Sequence, residues 1–241
     1  MTEPGRTEHG SSASPARRSV VALLLQVIAV SVFLAGLLLI PAGRLDWLQA
    51  WLFVIAFTTY LIFYGFWAVR HDPGQLEERS RVGANTKGWD RTILAIYTIL
   101  LIGMLVLAGL DAGRFRWAPL ALVWQAVGWL AGLLGGGLIF WVVSVNTYLS
   151  RTVRIQEERG QQVVTRGPYR WVRHPMYGGV ILFMLGIPLV LGSGWAEVIG
   201  GLIGVLFVVR TALEDRTLRK ELPGYREYAE QVRYRLIPGL W

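Results

Sequence analysis

The stretch RGPYRWVRHPMYGGVILFMLGIPLVL, residues 166–191, joins a dense polar and aromatic segment directly to an apolar run. Pro168 and Pro175 prevent a regular helix through the polar half, because each lacks an amide donor and restricts the residue before it. Four Arg or His side chains also crowd into nine residues of this half: Arg166, Arg170, Arg173 and His174. Ionisable clusters beside a membrane segment are functional-site candidates. The stretch therefore predicts a helix entering a membrane with a functional site at its polar end.

The composition of the whole chain is that of an integral membrane protein. Hydrophobic residues make up 54% of the 241 residues and charged residues only 17%, and the apolar residues come in long runs. The chain has no cysteine, which excludes disulfides, thiolate metal sites and a cysteine nucleophile. Its three histidines argue against a multi-histidine metal centre, and no metal site is predicted. The net charge of +8 is interpreted as membrane topology and contact with anionic lipid, and no nucleic-acid partner is expected.

Six apolar segments predict an all-α integral membrane fold with about six transmembrane helices. The last two segments are shorter than the ~20 residues that span a bilayer unaided, and the tight turn GSG joins them. They predict a tilted C-terminal helical hairpin, followed by cytoplasmic amphipathic tail helices that Pro223 and Gly224 separate. The six segments are residues 20–40 (ended by Pro41 and Gly43), 47–69, 92–110, 119–145, 176–191 and 195–209.

The distribution of positive charge predicts the orientation of these segments. Of the 24 Lys and Arg residues, 21 lie in the N-terminal tail, in residues 70–91 and 150–173, and from Arg210 onward. This alternation follows the positive-inside rule and predicts a multi-pass protein of the cell membrane with both termini cytoplasmic. The glycine-rich run GLLGGG, residues 132–137, has no strand before it and no lysine after it, so it predicts close helix packing rather than phosphate binding.

The second half of the chain resembles the isoprenylcysteine carboxyl methyltransferase family, whose wider group includes the phospholipid N-methyltransferases. The resemblance covers about residues 146–241, and the first four apolar segments resemble nothing more specific than helices. Its motifs, in chain order, are Val-Arg-Ile-Gln (153–156), Val-Val-Thr-x-Gly-Pro-Tyr (163–169), Arg-His-Pro-x-Tyr-x-Gly (173–179), the short hairpin, Arg-x-x-x-Glu-Asp (210–215) and Gly-Tyr-x-x-Tyr (224–228).

The resemblance implies an integral membrane methyltransferase that binds S-adenosylmethionine between its cytoplasmic loops and its last two helices. Residues 148–241 would then be the cofactor-binding and catalytic region, after a four-helix transmembrane region at residues 19–147. Residues 1–18 are predicted to be a disordered tail from their content of Ser, Pro, Gly and charged residues. Arg210 and Glu214 are the implied catalytic residues, with Arg210 facing the methyl acceptor. The implied cofactor-binding residues are Gln156, Gln161, Gln162, Val163, Val164, Tyr169, His174, Pro175, Met176, Tyr177 and Glu214.

The residue types suit these implied roles. Arg210 and Glu214 are spaced i and i+4, so one helix face presents both to the same cavity. A carboxylate acceptor needs no general base, whereas an amine acceptor needs a proton acceptor, for which Glu214 and His174 are candidates. The chain departs from many relatives of the family in carrying Asp215 after Glu214, where they have a second glutamate.

Alternative interpretations remain open at this stage. Arg166, Arg170 and Arg173 are interpreted as charges for topology or lipid headgroups, and Tyr225 and Tyr228 as residues that fold the tail under the helices. The expected partners are a lipid-like or prenylated substrate entering from the bilayer, and membrane lipids. The competing functions are a membrane reductase of the sterol-reductase kind, which uses a nicotinamide cofactor, and a non-enzymatic membrane scaffold.

Overall fold

The structure, a computed structural model, describes residues 15–72 and 86–241, and its long elements are all helices. The predicted all-α fold is confirmed for these residues. Two short 3₁₀ turns, Glu157–Arg159 and Gly167–Arg170, lie in the long polar connection. The helices are α1 (Pro15–Ala42), α2 (Leu48–His71), α3 (Gly88–Ala108, continued by a π-helical turn over Gly109–Phe115), α4 (Leu122–Val145), α5 (Pro175–Leu191), α6 (Gly194–Glu221) and α7 (Tyr225–Gln231).

Five helices of the described residues are long and apolar enough to cross a membrane, namely α1, α2, α3 with its π turn, α4 and α6. Helix α5 is apolar too, but it has only 17 residues. Many of the large hydrophobic side chains of the long helices point outward, as the lipid-facing side of a membrane protein requires. The chain is thus a multi-pass membrane protein, and the count of six spans stays a prediction.

Helix α6 differs most from the sequence-based expectation. The apolar run ends at Val209, and a separate tail helix was expected from Arg210, but one helix of 28 residues continues to Glu221. This prediction was wrong because charge ends an apolar run without ending a helix, and no helix breaker occurs before Pro223. The predicted break at Pro223-Gly224 is confirmed: Gly224 has a φ of +79°, and α7 begins at the next residue.

Other helix boundaries differ by a few residues. Helix α1 continues through Pro41 to Ala42, α3 begins at Gly88 instead of residue 92, and α4 begins at Leu122 instead of residue 119. Residues 15–18, which were expected to be disordered, form the first turn of α1. The rest of that predicted tail, residues 1–14, lies outside the described residues.

Helices α4 and α5 pack closely through glycines, which confirms the interpretation of the glycine-rich run at Gly135. A Cβ atom on Gly135 would lie 2.7 Å from the carbonyl oxygen of Gly179, and one on Gly186 would lie 2.9 Å from that of Gly128. Real Cβ atoms do not approach backbone so closely, so these positions require glycine. The close packing fixes the direction of α5, whose first residues reach the candidate site.

Two other glycines of α4 have no such packing role. A Cβ atom on Gly132 or on Gly137 would meet nothing within 4 Å. Both residues line an apolar groove of about 320 Å³ between α2, α4 and α5, which also has Phe57, Phe140 and Phe183 among its walls. Glycine in a helix interior costs roughly 0.5–1 kcal/mol relative to alanine. These two glycines keep the groove open rather than bringing helices together.

The far end of the α5–α6 hairpin is anchored by a buried carboxylate. Asp111, in the π turn after α3, is fully buried, and its Oδ2 accepts hydrogen bonds from the Ser193 hydroxyl at 2.6 Å and the Trp195 amide at 3.2 Å. Its Oδ1 accepts from the Ala118 amide at 2.7 Å. Ser193 in turn caps α6 by accepting from the Ala196 amide. The hairpin is therefore held at both ends, here and at the candidate site.

Candidate functional site

A cavity of about 480 Å³ lies where the start of α5 and the charged part of α6 meet the polar connection and α7. Of the residues predicted from the sequence, only Pro175 is not part of its lining. The cavity thus brings together side chains from three separate segments of the chain. The predicted residues that line it are Gln156, Gln161, Gln162, Val163, Val164, Tyr169, His174, Met176, Tyr177, Arg210 and Glu214.

Pro175 instead begins helix α5 and is buried. Proline suits the first helical position because the amide it lacks has no partner inside the helix there. The amide of His174 donates to the carbonyl of Arg235 in the C-terminal tail at 2.9 Å, which fixes the residue just before the helix. Pro175 therefore sets the start and direction of α5 and does not line the cavity.

Gln156 organises the polar connection. Its side chain is almost fully buried; Nε2 donates to the carbonyl of Tyr148 at 2.5 Å, and Oε1 accepts from Arg159 at 2.8 Å. Its main-chain amide donates to Oε1 of Gln161 at 2.8 Å. Gln156 thus lines the cavity, and its hydrogen bonds also stabilise the conformation of the polar connection.

The residues after this loop line the cavity and have backbone amides without a partner among the described residues. Residues 161–165 belong to no helix or strand, and the hydrogen bonds of the described residues include none donated by the amides of Gln162, Val163 or Val164. Gln162, Val163 and Val164 line the cavity. Backbone amides that lack a partner bind a ligand or water, so this segment is a ready donor set for a bound molecule.

Arg210 lines the cavity, but it is also held by a residue that the sequence analysis missed. Its Nε donates to Oδ1 of Asp90 at 2.9 Å, and its Nη2 donates to Oδ2 of Asp90 at 3.3 Å and to the carbonyl of Arg151 at 3.0 Å. Both side chains are buried. Asp90 Oδ2 also accepts from the Val153 amide at 2.8 Å, which ties the polar connection to α3. Only Nη1 of Arg210 has no hydrogen bond among the described residues, and it is the part left for a ligand.

Glu214 lies one turn beyond Arg210 and lines the same cavity, as the i, i+4 spacing predicted. Its Oε2 accepts a hydrogen bond from the Tyr177 hydroxyl. Its Oε1 has no partner among the described residues. The guanidinium carbon of Arg210 lies 5.2 Å from the centre of the Tyr177 ring, within cation–π range. Tyr177 therefore holds one oxygen of Glu214, packs against Arg210 and leaves Glu214 Oε1 available to a ligand.

Tyr169 forms a fixed part of the cavity wall. Its hydroxyl accepts a hydrogen bond from Nδ2 of Asn146 at 2.7 Å, and its carbonyl accepts from the Tyr228 hydroxyl at 2.7 Å. Burial raises the pKa of Tyr169 and of Tyr228 above that of free tyrosine, so both phenols stay neutral at physiological pH. Tyr228 thus joins α7 to the 3₁₀ turn and also lines the cavity.

Arg173 corrects the interpretation of the polar stretch. It was expected to serve topology or lipid headgroups, but it is only 4% exposed, and its Nε and Nη2 bind the two oxygens of Asp215 at 2.7 and 3.1 Å. Its Nη1 donates to the carbonyls of Val232 at 2.6 Å and Arg233 at 2.7 Å. Burial acts to lower the pKa of Arg173, but the hydrogen bond and charge of Asp215 outweigh burial and hold that pKa above its usual value.

Asp215 is the centre of this second buried network. His174 Nε2 lies 3.2 Å from its Oδ1, and the Tyr225 hydroxyl donates to the same oxygen at 3.0 Å. Arg219 and Arg235 each donate from Nε to Oδ2 at 3.1 Å. His174 and Tyr225 also line the cavity, whereas Asp215 does not. Of the two neighbouring acids, Glu214 therefore lines the cavity, whereas Asp215 binds residues that form the cavity wall.

Residues 123–223 match the model of the phospholipid methyltransferase family. The matched segment runs from helix α4 to the end of α6 and contains every cavity residue predicted from the sequence. The predicted resemblance to this group of integral membrane methyltransferases covered about residues 146–241, and it is confirmed over residues 146–223. A search of curated proteins found no match to the chain.

Proposed function

We propose that this chain transfers a methyl group from S-adenosylmethionine to a lipid-like acceptor at the cytoplasmic face of the cell membrane, because residues 123–223 match the model of the phospholipid methyltransferase family. One observation carries the proposal: residues assigned to the cofactor by resemblance, spread along the chain from Gln156 to Glu214, line a single cavity. Both chain termini would lie on the cytoplasmic side, as the charge distribution predicts.

The cavity suits S-adenosylmethionine in size and chemistry. Its volume of about 480 Å³ lies within the usual range for small-molecule sites. The unpaired amides of residues 162–164 offer donors to the polar ends of the cofactor, and Glu214 Oε1 offers an acceptor for its amino group. The cofactor, when bound, supplies an electrophilic methyl group on a sulfonium. The chain's own contribution is to align the two reactants and to exclude water.

Arg210 is proposed to orient the acceptor. With Nε and Nη2 held by Asp90 and the carbonyl of Arg151, the guanidinium is fixed in place and offers Nη1 to the cavity. A carboxylate acceptor would bind Nη1 through a charge-assisted hydrogen bond and need no general base. An amine acceptor would instead give up a proton, and His174 and Glu214, which both line the cavity, are the candidates to take it.

The apolar groove supports an acceptor with a hydrocarbon chain. Met176, Val180, Phe183, Ile187 and Val190 follow one another at spacings of four and three residues, so they share one face of α5. The first two line the cavity and the other three line the groove. A chain attached to an acceptor group in the cavity would therefore follow a single helix face into the groove.

Calorimetric titration of the detergent-purified protein with S-adenosylmethionine and with its demethylated product tests the proposal. We expect micromolar binding by the wild type, and loss of that binding in Glu214→Ala. Glu227→Ala is the matched control, because Glu227 is exposed on α7 and does not line the cavity. A folded wild-type protein that binds reduced nicotinamide and not S-adenosylmethionine would overturn the proposal in favour of a reductase. Binding of neither molecule would favour a scaffold.

A further inference from the structure

A second depression, of about 600 Å³, lies beside the charged end of α6 and is open to solvent. It shares none of its residues with the cavity of the candidate site. Two of its arginines donate to Asp215, the same carboxylate that binds the cavity residues Arg173 and His174. Apart from Asp215, Ala212 and Leu213, its lining is cationic: Arg216, Arg219, Lys220, Arg226 and Arg235.

The carboxylates of the described residues that line this depression do not neutralise its positive charge. Asp215 is the one carboxylate among the described residues that line it, and its charge is already shared with Arg173, Arg219 and Arg235. The remaining three cations, Arg216, Lys220 and Arg226, make no ion pair with any described residue, and the first two are exposed without a hydrogen bond from their side chains. A concentrated, unpaired positive charge in a concave site selects an anion.

The position of the depression relative to the membrane indicates which kind of anion it binds. Helix α6 has 28 residues and is about 42 Å long, so it exceeds the roughly 30 Å of a hydrocarbon core. Its charged last two turns therefore stand at the level of lipid headgroups. The ring of Trp241, a residue type that prefers this interface, lies 4.8 Å from the guanidinium carbon of Arg235. Arginine and lysine both bind phosphate oxygens, and clusters of such residues next to a membrane helix bind anionic lipids.

We propose that this depression binds the phosphate of one anionic phospholipid headgroup, with Arg216, Lys220 and Arg226 as its ligands. The site is separate from the cavity proposed for methyl transfer, and its lipid is a bound partner rather than the methyl acceptor. The binding does not depend on the proposed function. A failure of the methyltransferase proposal would leave it standing.

Native mass spectrometry of the protein in dodecyl maltoside tests the site. The probes are dioctanoyl phosphatidylglycerol, dioctanoyl phosphatidylcholine and inorganic phosphate. We expect saturable binding of one phosphatidylglycerol, and weakening of about fivefold for each cation removed, or roughly 25-fold for Arg216→Gln with Lys220→Gln. Arg91→Gln with Arg170→Gln is the matched control, because it removes the same charge from exposed residues outside the depression. We expect the control to bind like the wild type.

Three results would overturn the proposal. Equal binding of phosphatidylglycerol by the wild type and the Arg216→Gln, Lys220→Gln variant would show that these residues are not its ligands. Equal binding of phosphatidylcholine and phosphatidylglycerol would show no preference for an anionic headgroup. Competition by inorganic phosphate at the same concentration as the lipid would show that the depression binds free phosphate. Because Arg216 and Lys220 are exposed and make no contact that the variant breaks, the variant keeps the wild-type fold, which the midpoint of thermal unfolding checks.

Discussion

Replacing Asp90 with asparagine gives the sharpest test of how the site is built. Asp90 is fully buried and binds Arg210 through both carboxylate oxygens, and the Arg210 side chain is only 7% exposed. Asp90→Asn removes the negative charge and leaves a buried guanidinium without its counter-ion. Breaking a buried pair in this way costs about 3–5 kcal/mol. At about 2–4 °C per kcal/mol for a chain of this size, the midpoint of thermal unfolding should fall by roughly 6–20 °C.

The measurement is thermal unfolding of the detergent-purified protein, followed by tryptophan fluorescence. Asp46→Asn is the control. Asp46 pairs with Arg44 at 2.7 Å, but the Asp46 side chain is 79% exposed. Because an exposed pair contributes little, the midpoint of thermal unfolding of this variant should stay at the wild-type value. Adding Arg210→Met to Asp90→Asn removes the stranded charge and should recover much of the loss. The reasoning is refuted if Asp90→Asn behaves like Asp46→Asn, or if the second substitution lowers the midpoint further.

Three more outcomes follow from the cavity and the groove. Glu214→Gln should weaken S-adenosylmethionine binding about 10- to 100-fold in calorimetry, because it removes a charge-assisted hydrogen bond, while Glu227→Gln should bind like the wild type. Gly132→Leu should abolish photo-crosslinking of a diazirine-bearing palmitate to the groove, whereas Gly103→Leu, also in open space on a helix, should not. Above about pH 10, folded-state stability should fall, since Tyr228 stays protonated in the folded protein and ionises when it unfolds. Chemical denaturation at increasing pH should show a smaller fall for Tyr228→Phe. Each prediction is contradicted if the variant behaves like its comparison: if Glu214→Gln binds like Glu227→Gln, if Gly132→Leu is crosslinked like Gly103→Leu, or if Tyr228→Phe loses as much stability as the wild type.

The sequence predicted best what is local. The helices followed from apolar runs, and the break at Pro223-Gly224 followed from backbone chemistry that no distant contact overrides. The cavity residues were found through the resemblance to a known family, whose motifs occur in order along residues 153–228. The full length of α6 was not predicted. An apolar run indicates which residues lie in the hydrocarbon region, whereas a helix continues until a breaker such as proline or glycine ends it.

The buried ion pairs between residues far apart in the chain could not be predicted from the sequence. Arg173 sits among Arg166 and Arg170, and nothing local distinguishes a buried arginine from two exposed ones. Its partner Asp215 is 42 residues away, and Asp90 is 120 residues from Arg210. One available signal was the position of Asp90, a carboxylate in the first turn of an apolar helix, where a charge needs a partner.

These pairs show why the matched family segment does not complete the site. Within residues 123–223, Arg210 and Arg173 are two buried cations, and only Asp215 lies in the same segment as a buried anion. Asp90 on α3 neutralises Arg210, and the carbonyls of Val232 and Arg233 satisfy Arg173. A buried charge without these partners is costly enough to unfold a marginally stable protein. Asp90 on α3 and the carbonyls of Val232 and Arg233, all outside the matched segment, therefore stabilise the buried charges of the site, whatever their segments add to the choice of acceptor.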